Sequence, residues 1–92
     1  MEFEWDENKN VENIKIHDGI SFEKAVQAFD DDLAIPLEAP EHSDENETRY
    51  ALIGMCELGL VFVSFAFRGG KCRIISARKA SRKMKKMYAD ND

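Results

Sequence analysis

Hydrophobic positions in this chain follow two different periods, and the switch between them outlines its elements. Phe3 and Trp5 alternate with acidic residues, the period-two pattern of a short edge strand. Asp6 is an N-cap residue type, and the polar stretch after it reads as a helix to about Ile16 that packs through Val11 and Ile14. Asp18-Gly19 breaks it. Ser21 caps a second helix, in which Phe22, Ala25, Val26 and Phe29 recur at helical spacing and bury one face. The run Asp30-Asp31-Asp32 stops that helix. Its side chains diverge, so it is a poor cage for a divalent cation. Residues 33–37 read as a strand, which Pro36 confines to a sheet edge, and residues 38–48 as an exposed acidic loop.

Residues 50–55 and 60–67 are strand-like, with a turn around Glu57-Leu58-Gly59. Next, Gly69-Gly70 predicts a tight hairpin turn, because both central positions of a primed turn need positive φ. Counting outward pairs Arg68 with Lys71, Phe67 with Cys72, Ala66 with Arg73, Phe65 with Ile74 and Ser64 with Ile75. Alternation then gives a core face of Val61, Val63, Phe65, Phe67, Cys72 and Ile74. The opposite face carries Ser64, Ala66, Arg68, Lys71 and Arg73. A last helix over residues 81–89 groups Met84, Met87 and Tyr88 on one side and leaves Arg82, Lys83, Lys85 and Lys86 in solvent. Arg82 and Lys83 sit in its first turn, where the helix dipole disfavours cations, so helix stability does not account for them.

Charge changes the picture most. The net charge is −5, yet from Arg68 onward nine basic residues face two acidic ones, a local +7, while the first 67 residues carry −12. Local potential steers a polyanion more than the total does, so the last third reads as a polyanion-binding surface, RNA being the best fit. With 92 residues, 43% hydrophobic and 34% charged, the chain suits one soluble α+β domain spanning 1–92. No apolar run approaches the roughly 18 residues of a membrane span, and the N-terminus is acidic where a signal peptide is basic, so a cytoplasmic location is expected. Cys56 and Cys72 lack a CxxC partner or a histidine at ligand spacing and read as reduced packing thiols, with no metal site or cofactor.

The order of several blocks resembles a known family. Phe3-Glu4-Trp5-Asp6, Ser21-Phe22-Glu23 and Arg73-Ile74-Ile75-Ser76-Ala77-Arg78-Lys79-Ala80-Ser81, extending to Tyr88, are similar to the BrnT toxins of bacterial type II toxin–antitoxin systems. The resemblance implies a RelE-like fold, mostly antiparallel sheet with two N-terminal helices and one C-terminal helix. It also implies a ribonuclease that halts growth and a ribbon-helix-helix antitoxin of the BrnA type as partner. Promoter DNA would be bound only through the antitoxin complex. The chain departs from the pattern at Ile16 and Asp18 around His17, at Lys24, at Phe67 before the Gly-Gly turn, and at Met84, where a capping-box Glu is common. These departures bear on the catalytic set more than on the fold.

Metal-free RNA cleavage uses the substrate's 2′-hydroxyl and needs cations aimed at the phosphorane. Arg68, Arg73 and Arg78 are the candidates for that role, and Lys71, Lys79, Arg82 and Lys83 for holding the flanking backbone. His17 is the candidate acid–base group, against a plain helix-terminal role; His42 is a weaker one, and Tyr88 or a lysine is the alternative. Trp5 could stack a base or fill the core, and Met84 and Met87 could fill the core or meet the antitoxin. A non-catalytic binding module of the same fold, or a degenerate toxin serving only as antitoxin partner, stays open.

Overall fold

The computed structural model describes residues 1–38 and 47–91. His42 and most of the 38–48 stretch lie outside the described residues. One five-stranded sheet has the order β1-β5-β4-β3-β2, made of β1 (Phe3–Glu4), β2 (Ile35–Glu38), β3 (Arg49–Cys56), β4 (Gly59–Arg68) and β5 (Lys71–Lys79). Only β1 runs parallel to its neighbour; the other pairings are antiparallel. The helices are α1 (Glu7–Ile16), α2 (Phe22–Ala25) continuing as a 3-10 helix (Val26–Asp30), and α3 (Arg82–Asp90). This is the expected α+β architecture. Both predicted edge strands are edges: β1 because it is two residues long, β2 because Pro36 cannot serve a central ladder.

Local chemistry sets the element ends. Asp6 accepts from the Asn8 and Lys9 N–H groups, Ser21 from Lys24 and Ser81 from Met84, so all three N-caps are side-chain caps. Asp18 and Gly19 take φ of 54° and 79°, which ends α1 at the predicted place. Gly69 and Gly70, at 59° and 79°, make the primed turn.

Phe22, Ala25, Ala28 and Phe29 of the second helical segment pack on Leu52, Val63, Phe65 and Ile74 of the sheet. Full burial of a side chain the size of Phe22 contributes about 1.5–3 kcal/mol. Aromatic rings run edge-on from Phe3 through Phe29 to Phe65. Trp5 belongs here too, against Phe22 with ring centroids 6.1 Å apart. Gly54 admits the 3-10 helix closely: a Cβ there would lie 2.8 Å from the Ala28 carbonyl oxygen.

Helix α1 packs differently from the expectation. Val11 and Ile14 are 46% and 38% exposed, and the buried positions are Asn10 and Asn13. Beyond β1 the outer edge of β5 has backbone groups to satisfy, which apolar side chains cannot do. Asn13 meets them, donating to the Ala77 carbonyl at 2.8 Å and accepting from the Ala77 N–H at 3.2 Å, and it also donates to the Ile20 carbonyl at 2.9 Å. Asn10 ties the two N-terminal helices together: it accepts from the Phe22 N–H and donates to Glu7 and Glu23.

Candidate functional site

Register builds the site on the sheet face opposite the second helical segment. Pairing from the Gly-Gly turn holds as counted through Phe65↔Ile74, but then Ser64 pairs with Ser76, not with Ile75. Ile75 is the extra residue of a β-bulge. A one-residue insertion inverts the facing of everything after it. Ala77 therefore turns into the core with no exposed surface, and Arg78 joins Arg73 on the open face.

Three cross-strand rows result. Arg49, Ala66 and Arg73 form the first; Ala51, Ser64 and Ser76 the second; Ile53, Phe62 and Arg78 the third. Between the outer rows lies a groove of about 280 Å³ lined by Arg49, Tyr50, Phe62, Ser64, Ile75, Ser76 and Arg78. The Arg78 guanidinium lies 4.9 Å from the Phe62 ring centroid, a cation–π contact worth about 0.5–1 kcal/mol where exposed. Ala66 is flanked by two arginines across the strands and is fully buried, although it lies outside the main core. Phe67 shares the core-face parity expected of it, yet it projects beyond the helices and is 54% exposed against Tyr50 and Phe65.

Carboxylates already partner several of these cations. Glu4 of β1 takes Arg73 at 3.1 Å, with both side chains mostly buried. Glu47 takes Arg68 at 2.7 Å and Arg49 at 3.4 Å. The hydrogen bond from Arg68 holds the Glu47 carboxyl below its ordinary range; burial opposes this, and the charges of Arg68 and Arg49 add to it. Lys71 meets Glu2 at 3.8 Å on an exposed surface, where such a pair adds little.

The other expected residues are more scattered. His17 is the C-cap of α1 and lies in a second depression with Lys9, Glu12, Asn13, Ile16 and Ile75. It does not line the arginine groove; Ile75 is the wall the two share. Lys79 pairs with Val61, so strand alternation turns it from the face that holds Arg78. Arg82 and Lys83 are exposed in the first turn of α3. The Tyr88 hydroxyl donates to Asp31 at 2.6 Å, anchoring α3, and its pKa is raised by that bond, with burial and the Asp31 charge adding. Asp31 is thus more than a helix stop. It also accepts from the Leu33 and Met55 N–H groups. Cys56 and Cys72 are free and buried, and burial pushes the Cys72 thiol up to about 11. Among the described residues no group of three or more His, Cys, Asp or Glu side chains could hold a metal ion, and no helix is long and apolar enough to cross a membrane.

Arg49, Phe62 and Ser76 are groove residues that the sequence reading did not select. Arg49 had a usable signal: Cys56 pairs with Gly59 across the Glu57-Leu58 turn, and counting back from there reaches Arg49 opposite Ala66. Ser76 had none, since the bulge is invisible to alternation.

A search of curated proteins finds no match to the chain. A family model described as the ribonuclease toxin BrnT of type II toxin–antitoxin systems does match, over residues 5–83, a span that includes α1, the second helical segment and all the paired strands from β2 to β5. With most of its length matched by that model, the chain belongs to the BrnT family of ribonuclease toxins of type II toxin–antitoxin systems.

Proposed function

We propose that the open sheet face is the cleavage surface of a metal-independent endoribonuclease. Its action arrests growth until a ribbon-helix-helix antitoxin of the BrnA type covers it, and promoter DNA is met only through that complex. The observation that carries this reading is the pair of arginine rows, Arg49–Arg73 and Arg78, on either side of a hydroxyl-lined floor. Guanidinium groups grip phosphate oxygens bidentately, and this donor set repels a divalent cation while attracting a phosphodiester.

In the proposed reaction the ribose 2′-oxygen attacks the adjacent phosphorus, forming the O2′–P bond while the P–O5′ bond breaks. The products are a 2′,3′-cyclic phosphate and a 5′-hydroxyl. Arg73 and Arg78 neutralise the phosphorane, each contributing about 10²–10³-fold in rate. Arg68 and Lys71 at the turn, and Arg82 and Lys83 on α3, hold the chain to either side. Lys79, facing away, contributes at most to the long-range field. His17, across Ile75 from the groove, takes the 2′-hydroxyl proton of a strand that passes over that residue and returns it to the departing 5′-oxygen.

The test is inducible expression followed by total-RNA integrity and end-group mapping, with and without a co-expressed antitoxin. Cyclic-phosphate ends, growth arrest and relief by the antitoxin are expected. Arg73→Ala and Arg78→Ala should remove cleavage while the protein still melts cooperatively. Intact RNA with RNA binding retained would replace this reading with a non-catalytic binding module, for which the engagement of Arg68 and Arg73 by Glu47 and Glu4 is the favouring observation.

A further inference from the structure

We infer that the Ser64–Ser76 floor of the groove is a recognition pocket for a single unstacked nucleobase of the RNA, and that its two hydroxyls set base preference. This rests on the RNA reading above and names where that RNA is read. Ser64 and Ser76 are direct cross-strand partners, half-buried side by side in the middle row of the open face. Neither hydroxyl is engaged by another group among the described residues, whereas the arginines around them are largely committed to carboxylates or to Phe62. A hydroxyl is both donor and acceptor, so an adjacent pair can read the polar edge of a base.

The surroundings suit a base more than a phosphate. Ala51, the third member of that row, has almost no exposed surface and does not line the groove, so the two serines carry the hydroxyls of its floor. The Arg78 guanidinium, 4.9 Å from the Phe62 ring centroid, is a planar cation on which a base can stack, the usual way single-stranded RNA is held. The bulge at Ile75 makes this possible, because unbulged pairing would set Ile75 instead of Ser76 beside Ser64. Arg49 and Arg73 then exchange their carboxylate partners for the flanking phosphates, and Arg78 stacks by its face while donating to phosphate by its N–H edge, so the serines read the base edge and the arginines grip the backbone.

The test uses 2′-O-methyl homopolymers of A, C and U, which lack the nucleophile and so report binding alone, against wild type and the Ser64→Ala/Ser76→Ala double variant. Wild type should prefer one base by about fivefold or more, roughly what one buried hydrogen bond supplies. The double variant should bind all three within about twofold of one another, with its thermal midpoint unchanged, and should cut ordinary RNA at a broader set of sites. An unchanged preference in the double variant, or no preference in wild type, overturns the pocket. A preference that the double variant loses, in a protein that leaves ordinary RNA intact, would sink the ribonuclease reading and leave the pocket standing.

Discussion

Replacing Asn13 by alanine tests the least expected feature of the fold, a helix that buries its amides and exposes its aliphatic residues. Asn13 is 6% exposed and serves three backbone groups, the carbonyls of Ile20 and Ala77 and the N–H of Ala77. The alanine variant leaves those groups without partners at a site almost closed to water. At about 1 kcal/mol each, the low end for a buried polar group left unmade, the loss is about 3 kcal/mol. For a domain of this size that lowers the melting midpoint by about 12–24 °C, a large part of the total stability. Urea titration at neutral pH should show the midpoint falling with an unchanged slope, and the Ala77 amide should exchange much faster. Asn13→Asp keeps the acceptor but sets a carboxylate against two carbonyl oxygens, so it should be no better at neutral pH and recover part of the loss on acidification, as the carboxyl protonates and regains a donor. A loss below about 1 kcal/mol for the alanine variant would refute the edge-capping role.

Four further outcomes are expected. Gly54→Ala puts a methyl 2.9 Å from the Ala28 Cβ and 2.8 Å from its carbonyl oxygen, so the 3-10 helix must shift; a loss of about 1–3 kcal/mol in a denaturant titration is expected, and a neutral result would deny the close approach. Ultraviolet titration should place the Tyr88 phenol above an ordinary tyrosine, and Asp31→Asn should lower it, leaving only the part due to burial. Burial alone would raise the Asp31 carboxyl, but the bonds from Tyr88, Leu33 and Met55 outweigh it and hold it low, as Arg68 holds Glu47. Carboxyls lowered in the folded state add stability above their unfolded range that disappears as pH falls below about 4; the acid limb should be shallow, since both groups are solvent-screened, and should flatten in Asp31→Asn/Glu47→Gln. Finally, Cys72, fully buried with its thiol at about 11, should resist thiol reagents in the native protein near pH 8 and react once urea unfolds it.

Local features of this protein were legible in its sequence. Asp6, Ser21 and Ser81 cap because each supplies a short oxygen to backbone N–H groups within its own turn. Gly69-Gly70 turns because both backbones need positive φ, and Pro36 marks an edge because it has no N–H. The basic last third, and its likeness to a toxin family, also need only the order of residues. Alternation then carried the hairpin as far as Phe65 and Ile74.

What lay beyond reach depends on partners distant in the chain. Whether Val11 or Asn13 faces inward is decided by the unpaired edge of β5, 64 residues away. Arg73 is tied by Glu4, 69 residues earlier, so a cation that looks free in the sequence is half-satisfied in the fold. The basic patch is likewise more divided than its charge suggests: Arg73 and Arg78 share a face with Arg49, while Lys79 turns away. One unpaired residue, Ile75, decides that division. Strand alternation has no memory across a bulge, and only the whole sheet, pairing Ser64 with Ser76 while burying Ala77, determines which side Arg78 takes.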